Sequence, residues 1–231
     1  MKTIGILGGM GPEASLEYYR QFIELAKEKT PKGNYPEIVI YNLNFEDFCR
    51  PVSEGKHDRV IRLLQEKLSD LAGAGADFAM MASNTPHLFF EQLEEEASIP
   101  ILSIVHSAAK EAESRGLEKA VLLGTRFTMN AGFYQDEFEN RGVELIVPAE
   151  EEGEFVHDKI MNELVVGEFE KGTKNRIIEI IQELREGEGI EGVVLGCTEL
   201  PLLLDESELS ISVLDTTRIH VKSGFERALE R

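Results

Sequence analysis

Short apolar segments alternate with longer amphipathic segments along almost the whole sequence of 231 residues. The short segments fit buried strands, and the longer ones repeat apolar residues at the spacing of a helix face. Such alternation favours parallel sheets covered by helices on both faces, which is an α/β fold. We predict strands at residues 4–7, 37–43, 77–82, 101–104, 119–123, 144–147, 192–195 and 211–214, and helices at 14–30, 57–74, 88–96, 133–140, 158–164, 175–185 and 217–229.

The sequence contains an internal repeat. Two glycine-led apolar segments each end in a small nucleophile, Ser83 in the first and Cys197 in the second. The spacing between these residues nearly equals that between Gly8 and Gly124, which follow the first and fifth predicted strands. Chance explains either pair alone, and explains both together less readily. The repeat predicts two similar α/β halves related by a pseudo-twofold axis.

The chain is strongly acidic, with 24 basic and 43 acidic side chains and a net charge of −19. This charge argues against binding to nucleic acid or to an anionic membrane, although a small anionic substrate remains possible at a locally positive site. No apolar segment approaches the ~20 residues of a membrane span, and no secretory leader is evident. Two cysteines, Cys49 and Cys197, do not make a disulfide framework, so we expect a cytoplasmic protein.

Four polar or glycine-rich segments follow predicted strands, where ligands bind in open parallel sheets. These segments are residues 8–12, 83–87, 124–128 and 196–199. If the halves are related by a twofold axis, the segments face one another across a cleft. Ser83 and Cys197 then approach one ligand from opposite sides. Inversion of a carbon centre needs this arrangement, because one group removes a proton and the other delivers one to the opposite face.

Cys197 is the better candidate of the two cysteines. Thr198 and Glu199 follow it directly, and a position at a helix start lowers a thiol pKa. The alternative is an inert buried cysteine, and we favour that reading for Cys49. His87 either orients the Ser83 segment or is an ordinary polar residue at a helix start.

Other site types fit the sequence less well. Residues 9–14 match a dinucleotide-binding fingerprint formally, but Pro12 interrupts the loop and no acidic residue ends the second predicted strand. The five histidines lack the spacing of metal ligands. Ser83 does not stand in the sharp turn of a serine hydrolase. These residues therefore favour neither a nicotinamide cofactor nor a metal site.

Five segments together resemble the aspartate/glutamate racemase family. They are residues 4–12, 83–87 (Ser-Asn-Thr-Pro-His), 123–129 (Leu-Gly-Thr-Arg-Phe-Thr-Met), 196–199 (Gly-Cys-Thr-Glu) and 214–216 (Leu-Asp-Thr). The resemblance implies a pyridoxal-phosphate-independent isomerase with two α/β domains and an active site in the cleft between them. The first domain would comprise residues 1–98 and 209–231, and the second residues 99–208. It also implies a homodimer and the absence of any cofactor.

The resemblance assigns roles residue by residue. Cys197 matches the second catalytic cysteine of the family, and Ser83 stands where the first is usually found. Asn84, Thr85 and Thr198 would hold the substrate's α-carboxylate, Met10, Thr125 and Thr128 would line the substrate pocket, Glu199 would support Cys197, and Asp47 would lie in a loop that closes over the substrate.

Two positions depart from the pattern of members that bind dicarboxylates. Phe48 and Val166 stand where some members have basic residues.

The expected function is racemisation of an amino acid by two unequal bases, because a serine hydroxyl is much less acidic than a thiol. Two other functions stay open. One is a one-thiol decarboxylase or isomerase of a small carboxylic acid, which the missing second thiol favours. The other is a carboxylate-binding protein that has lost catalysis.

Overall fold

The computed structural model describes residues 1–230, which form two compact units. Unit 1 comprises Met1–Ile104 together with the segment that begins at His220, and unit 2 comprises Val105–Ile219. Each unit contains a four-stranded parallel sheet with helices packed against it. The predicted α/β class with two similar halves is therefore confirmed.

The sheet of unit 1 has the strand order β2-β1-β3-β4. Its strands are β1 (Ile4–Gly8), β2 (Ile38–Asn42), β3 (Phe78–Met81) and β4 (Ile101–Leu102), and its helices are α1 (Pro12–Lys29), α2 (Phe45–Ser53), α3 (His57–Gly73), a 3-10 helix (Thr85–Phe89) and α4 (Phe90–Glu96).

The sheet of unit 2 repeats that arrangement with the order β6-β5-β7-β8. Its strands are β5 (Lys119–Leu123), β6 (Glu144–Ile146), β7 (Gly192–Leu195) and β8 (Ser212–Asp215). Its helices are α5 (Ile104–Ser114), α6 (Arg126–Asn130), α7 (Phe133–Glu139), α8 (Glu150–Asn162), α9 (Lys171–Glu188) and α10 (Leu200–Leu203), with 3-10 turns at Leu164–Val166 and Glu206–Glu208. A last helix, α11 (Thr216–Leu229), begins in unit 2 and belongs to unit 1 from His220 onward.

The chain passes between the units later than the sequence suggests. The predicted boundaries assign residues 101–104 to the second domain and 211–214 to the first. In the structure β4 pairs with β3 of unit 1, and β8 pairs with β7 of unit 2. Strand β4 is therefore the edge strand of the unit 1 sheet, and β8 is the edge strand of the unit 2 sheet. The helices that follow these strands, α5 and α11, lead into the other unit.

The cores form where central strands meet amphipathic helices. All residues of β1, β3 and β7 are buried, as expected for inner strands of a parallel sheet. In α1 the buried face contains Ala14, Tyr18 and Phe22 at four-residue spacing. Helical spacing of the apolar residues in 14–30 also predicts Leu16 and Tyr19 on the buried face, but the structure leaves them 65% and 48% exposed.

Two segments expected to be loops are helical. The glutamate run that begins at Glu150 lies between predicted elements and its charge predicts a solvated loop. In the structure it opens α8, because carboxylates in a first turn interact favourably with the helix N-terminus. The segment that contains Asp47 is α2, and the Asn44 side chain caps it by accepting from the Glu46 amide. No helix among residues 1–230 is long and apolar enough to cross a membrane.

Candidate active site

The loop after β1 is fixed by a glycine that no other residue replaces easily. Gly9 has a φ of +85°, and a Cβ there would lie 2.2 Å from the Leu43 carbonyl oxygen. The Gly9 amide donates to Ser15 Oγ at 2.9 Å, and that hydroxyl donates to Asn42 Oδ1 at 2.9 Å. These contacts tie the loop to the end of β2 and hold Met10, which is buried beside it.

Ser83 follows β3 and lies next to this loop. Its hydroxyl donates to the Met10 carbonyl oxygen at 3.3 Å, and its side chain is buried. The structure therefore brings the two predicted site residues Ser83 and Met10 together. Asn84 is buried beside Ser83, and Thr85 begins the 3-10 helix and is partly exposed.

His87 holds the Ser83 segment through the backbone. Its Nδ1 donates to the Ser83 carbonyl oxygen at 3.0 Å, and its Nε2 accepts from the Ile104 amide at 3.2 Å. A carbonyl only accepts, so Nδ1 carries the proton. Burial lowers the pKa of His87 to about 4, and the ring is neutral at pH 7. Of the two readings of His87, the structure therefore supports the one in which it orients the segment.

A second buried histidine in unit 1 was missed by the sequence reasoning. His220 Nε2 donates to the Leu102 carbonyl oxygen at 2.9 Å, and its Nδ1 accepts from the Tyr18 hydroxyl at 2.8 Å. Its ring lies 6.2 Å from that of His87, and burial followed by repulsion from His87 lowers its pKa to about 3. No local pattern indicates this contact, because Tyr18 and His220 are 202 residues apart.

In unit 2, two glycines let the ends of β5 and β7 approach closely. A Cβ on Gly124 would lie 3.1 Å from the Gly196 carbonyl oxygen, and one on Gly196 would lie 3.1 Å from Thr128 Cγ2. Thr125 caps α6, and its Oγ1 lies 3.1 Å from Thr128 Oγ1. The predicted substrate-binding threonines therefore lie against the segment that contains Cys197.

Cys197 is buried, and its thiol donates a hydrogen bond to a carboxylate. Its Sγ lies 2.9 Å from Glu199 Oε2, which also accepts from the Thr198 hydroxyl at 2.7 Å. Glu199 itself is 5% exposed. The predicted contact of Glu199 with Cys197 is thus present in the structure, and one oxygen receives both hydrogen bonds.

The expected low pKa of Cys197 is not found. Burial first, and the negative charge and hydrogen bond of Glu199 second, raise the pKa of the thiol well above its usual value. Cys197 is therefore a thiol at neutral pH. The expectation was wrong because it considered the helix start and not the desolvation and the carboxylate beside it.

Asp47, Phe48 and Val166 differ in their surroundings. Asp47 is exposed in the first turn of α2 and makes no side-chain hydrogen bond within the part of the chain that the structure describes. Phe48 is 4% exposed and packs in the core of unit 1. Val166 is 64% exposed in the 3-10 turn before Gly167.

Comparison with known proteins identifies the family. Residues 7–224 match the profile described as Asp/Glu/Hydantoin racemase. The chain belongs to this racemase family. It is 26% identical over 226 residues to the broad-specificity amino-acid racemase RacX of Bacillus subtilis, covering 95% of each chain.

Solved structures agree with this assignment. An aspartate racemase homologue from Pyrococcus horikoshii is 41% identical, with a TM-score of 0.88 and complete coverage of both chains. A protein from Yersinia pestis described as a putative Asp/Glu racemase is 31% identical, with a TM-score of 0.92 and complete coverage of both chains. The relatives of this chain therefore include amino-acid racemases, which are isomerases.

Proposed function

We propose that the protein is a cofactor-independent racemase of amino acids, of the aspartate/glutamate type, in which Cys197 and Ser83 act on opposite faces of one α-carbon. The observation that carries this proposal is the buried Cys197 thiol, bonded to Glu199 at the carboxyl end of β7. Ser83 occupies the corresponding place after β3 in the repeated unit.

Cys197 and Glu199 form a pair that shares one proton. Transfer of the thiol proton to Glu199 leaves a thiolate beside a neutral carboxyl group, so the charge of the pair does not change. The thiolate then removes the substrate α-proton: the Cα–H bond breaks, an S–H bond forms, and the electron pair moves into the substrate carboxylate. Hydrogen-bond donors stabilise the resulting dianion, and we assign that role to Asn84, Thr85 and Thr198.

Ser83 completes the inversion by delivering a proton to the other face. Among residues 1–230, the one group to which its hydroxyl donates is the Met10 carbonyl oxygen. Both ring nitrogens of His87 are bonded to backbone groups, so His87 does not relay the proton. We therefore expect removal and return of the α-proton by Cys197 to be faster than complete inversion.

The deciding measurement is proton NMR of α-deuterium incorporation in heavy water, with both enantiomers of aspartate, glutamate and several neutral amino acids. Exchange with inversion is expected, and Cys197→Ala should abolish it. Cys49→Ala is the matched control, since Cys49 lies in α2 of the other unit. Full racemisation by Cys197→Ala would overturn the assignment, and no exchange with any substrate would overturn the function.

Within the part of the chain that the structure describes, no basic side chain bonds the Ser83 hydroxyl, which favours one second candidate, a one-thiol decarboxylase or isomerase of a small carboxylic acid. Such an enzyme needs a single proton donor, which the Cys197–Glu199 pair supplies. Stereospecific release of carbon dioxide from a malonate analogue, without α-proton exchange in amino acids, would support this alternative over the racemase.

We also propose that the protein is a homodimer. Ile40 on edge strand β2 is 41% exposed, and Leu16 and Tyr19 on α1 are exposed as well. Light scattering of the purified protein tests this, and a monomeric mass at micromolar concentration would exclude it.

A further inference from the structure

The segments that contain Ser83 and Cys197 are each hydrogen-bonded to the first residue of a helix, and each of these helices leads into the other unit. Helix α5 begins at Ile104, directly before the chain passes from unit 1 to unit 2. Helix α11 begins at Thr216, shortly before the chain passes back at His220. The two contacts use different side chains, but each joins the start of a helix to the strand end or loop that carries an acid/base residue.

In unit 1 the link is the His87 ring. It connects the Ser83 carbonyl oxygen at 3.0 Å with the Ile104 amide at 3.2 Å. The ring is 2% exposed and lies parallel to the Phe90 ring at 5.7 Å, which fixes its plane. A neutral imidazole has one donor and one acceptor, and both are used here.

In unit 2 the link is the Thr216 hydroxyl. It donates to the Leu195 carbonyl oxygen at 2.8 Å, and Thr216 is fully buried. The Tyr134 hydroxyl is bonded to Thr216 as well. Strand pairing explains the contact, since Leu195 lies opposite Asp215 in the parallel register and Thr216 follows Asp215. Leu195 is separated from Cys197 only by Gly196, a residue without a side chain to fix the turn.

We propose that His87 and Thr216 are positioning residues for the two acid/base groups, His87 for Ser83 and Thr216 for Cys197. This inference rests on the proposed racemase function. Neither side chain donates a proton to substrate. His87 fixes the carbonyl of Ser83 itself, and Thr216 fixes the carbonyl of Leu195, two residues before Cys197. A misplacement of about 1 Å at a catalytic group costs on the order of 10²-fold in rate, so the effect is measurable.

The neighbouring threonine provides a matched control. Thr217 is 1% exposed, like Thr216, but its hydroxyl has no hydrogen-bond partner within residues 1–230. Thr216→Val and Thr217→Val therefore make the same chemical change at adjacent buried sites. Only the first removes a bond to the Cys197 segment. Thr216→Ser keeps that hydroxyl and tests rescue.

The experiment measures α-deuterium exchange and inversion separately for each variant. Thr216→Val should lower the kcat of both processes roughly 10- to 100-fold with KM changed less than about twofold. Thr216→Ser should retain kcat within about threefold, and Thr217→Val should match the wild type. His87→Gln should reduce inversion more than exchange, because only the Ser83 face is affected. A uniform folding defect would lower both processes together without changing their ratio.

A second measurement separates failure of this inference from failure of the proposed function. Amide hydrogen exchange of residues 192–200, followed by mass spectrometry, reports the order of the Cys197 segment without any substrate. Thr216→Val should accelerate it about tenfold, and Thr217→Val should not. If the wild type exchanges no α-proton, the racemase function fails, and so does the catalytic role proposed here. If the wild type is active but Thr216→Val keeps its kcat, or Thr217→Val loses as much, the positioning roles are overturned.

Discussion

The Cys197 thiol lies 2.9 Å from a carboxylate oxygen of Glu199, and both side chains are buried. A carboxylate in this place raises the pKa of the thiol, while it also offers an acceptor for the thiol proton. The pair therefore resembles a thiol with its own base. The same oxygen also accepts a hydrogen bond from the Thr198 hydroxyl at 2.7 Å.

The first prediction concerns Glu199→Gln. Loss of the negative charge should lower the pKa of Cys197, and loss of the proton acceptor should reduce kcat for α-proton exchange by about 10²-fold or more. Thiolate ultraviolet absorbance against pH measures the first effect in a Cys49→Ala background. Glu179→Gln, an exposed carboxylate on α9, serves as the control. An unchanged Cys197 pKa in Glu199→Gln would contradict this account of the pair.

The second prediction concerns Ser83→Cys. A thiol is several pKa units more acidic than a hydroxyl, and each unit corresponds to about 1.4 kcal/mol. The variant should therefore raise inversion toward the rate of exchange while exchange itself changes little. The ratio of the two rates, from NMR in heavy water, is the measurement. Ser53→Cys on α2 controls for an added thiol in unit 1. A lower ratio in Ser83→Cys would argue against Ser83 as the second acid/base group.

The third prediction compares two glycines with the same backbone angle. Gly9 and Gly33 both have a φ of +85°, but only at Gly9 would a Cβ meet backbone, at 2.2 Å from the Leu43 carbonyl oxygen. Gly33→Ala should lower the free energy of unfolding by about 1 kcal/mol, which is the cost of the left-handed conformation alone. Gly9→Ala should cost clearly more and also reduce activity, because the Met10 carbonyl that accepts from Ser83 moves. Urea unfolding measures the stability of both variants. Equal decreases in the free energy of unfolding would show that the loop at Gly9 adapts to the added Cβ.

Local patterns in the sequence sufficed for the strands and for the site segments that follow them. Strand β7, for example, is a run of buried apolar residues between glycines, and Cys197 follows it as predicted. The periodicity of α3 likewise indicated the apolar face that contains the buried residues Val60, Leu64, Leu68 and Leu71, together with Leu63, which is only partly buried.

Features that depend on distant contacts were not predictable. The edge strands β4 and β8 are short, and hydrogen bonds with β3 and β7 decide which sheet each joins. The high pKa of Cys197 depends on burial and on the orientation of Glu199, which residue types alone do not specify. Helix α5 was missed because residues 104–114 follow a strand signal without a capping motif.

The fourth prediction is a loss of stability in acid that depends on the two buried histidines. Both are neutral in the folded protein, with a pKa of about 4 for His87 and about 3 for His220, below the ordinary value of 6.5. As the pH falls below 6.5, the unfolded chain gains protons that the folded protein does not bind. The free energy of unfolding should therefore decrease, by about 1.4 kcal/mol per pH unit for each histidine, until the folded pKa is reached.

His220→Gln tests this directly. At pH 8 the variant should be less stable by roughly 1–3 kcal/mol, because the bonds to Tyr18 and Leu102 are weakened. Between pH 6 and about 4 the free energy of unfolding of the variant should fall less steeply than that of the wild type. The two slopes should differ by about 1.4 kcal/mol per pH unit, the contribution of one histidine. His57→Gln, an exposed histidine at the start of α3, is the control. Urea unfolding across this pH range gives both slopes, and equal slopes for His220→Gln and the wild type would mean that His220 is protonated in the folded protein as readily as in the unfolded chain.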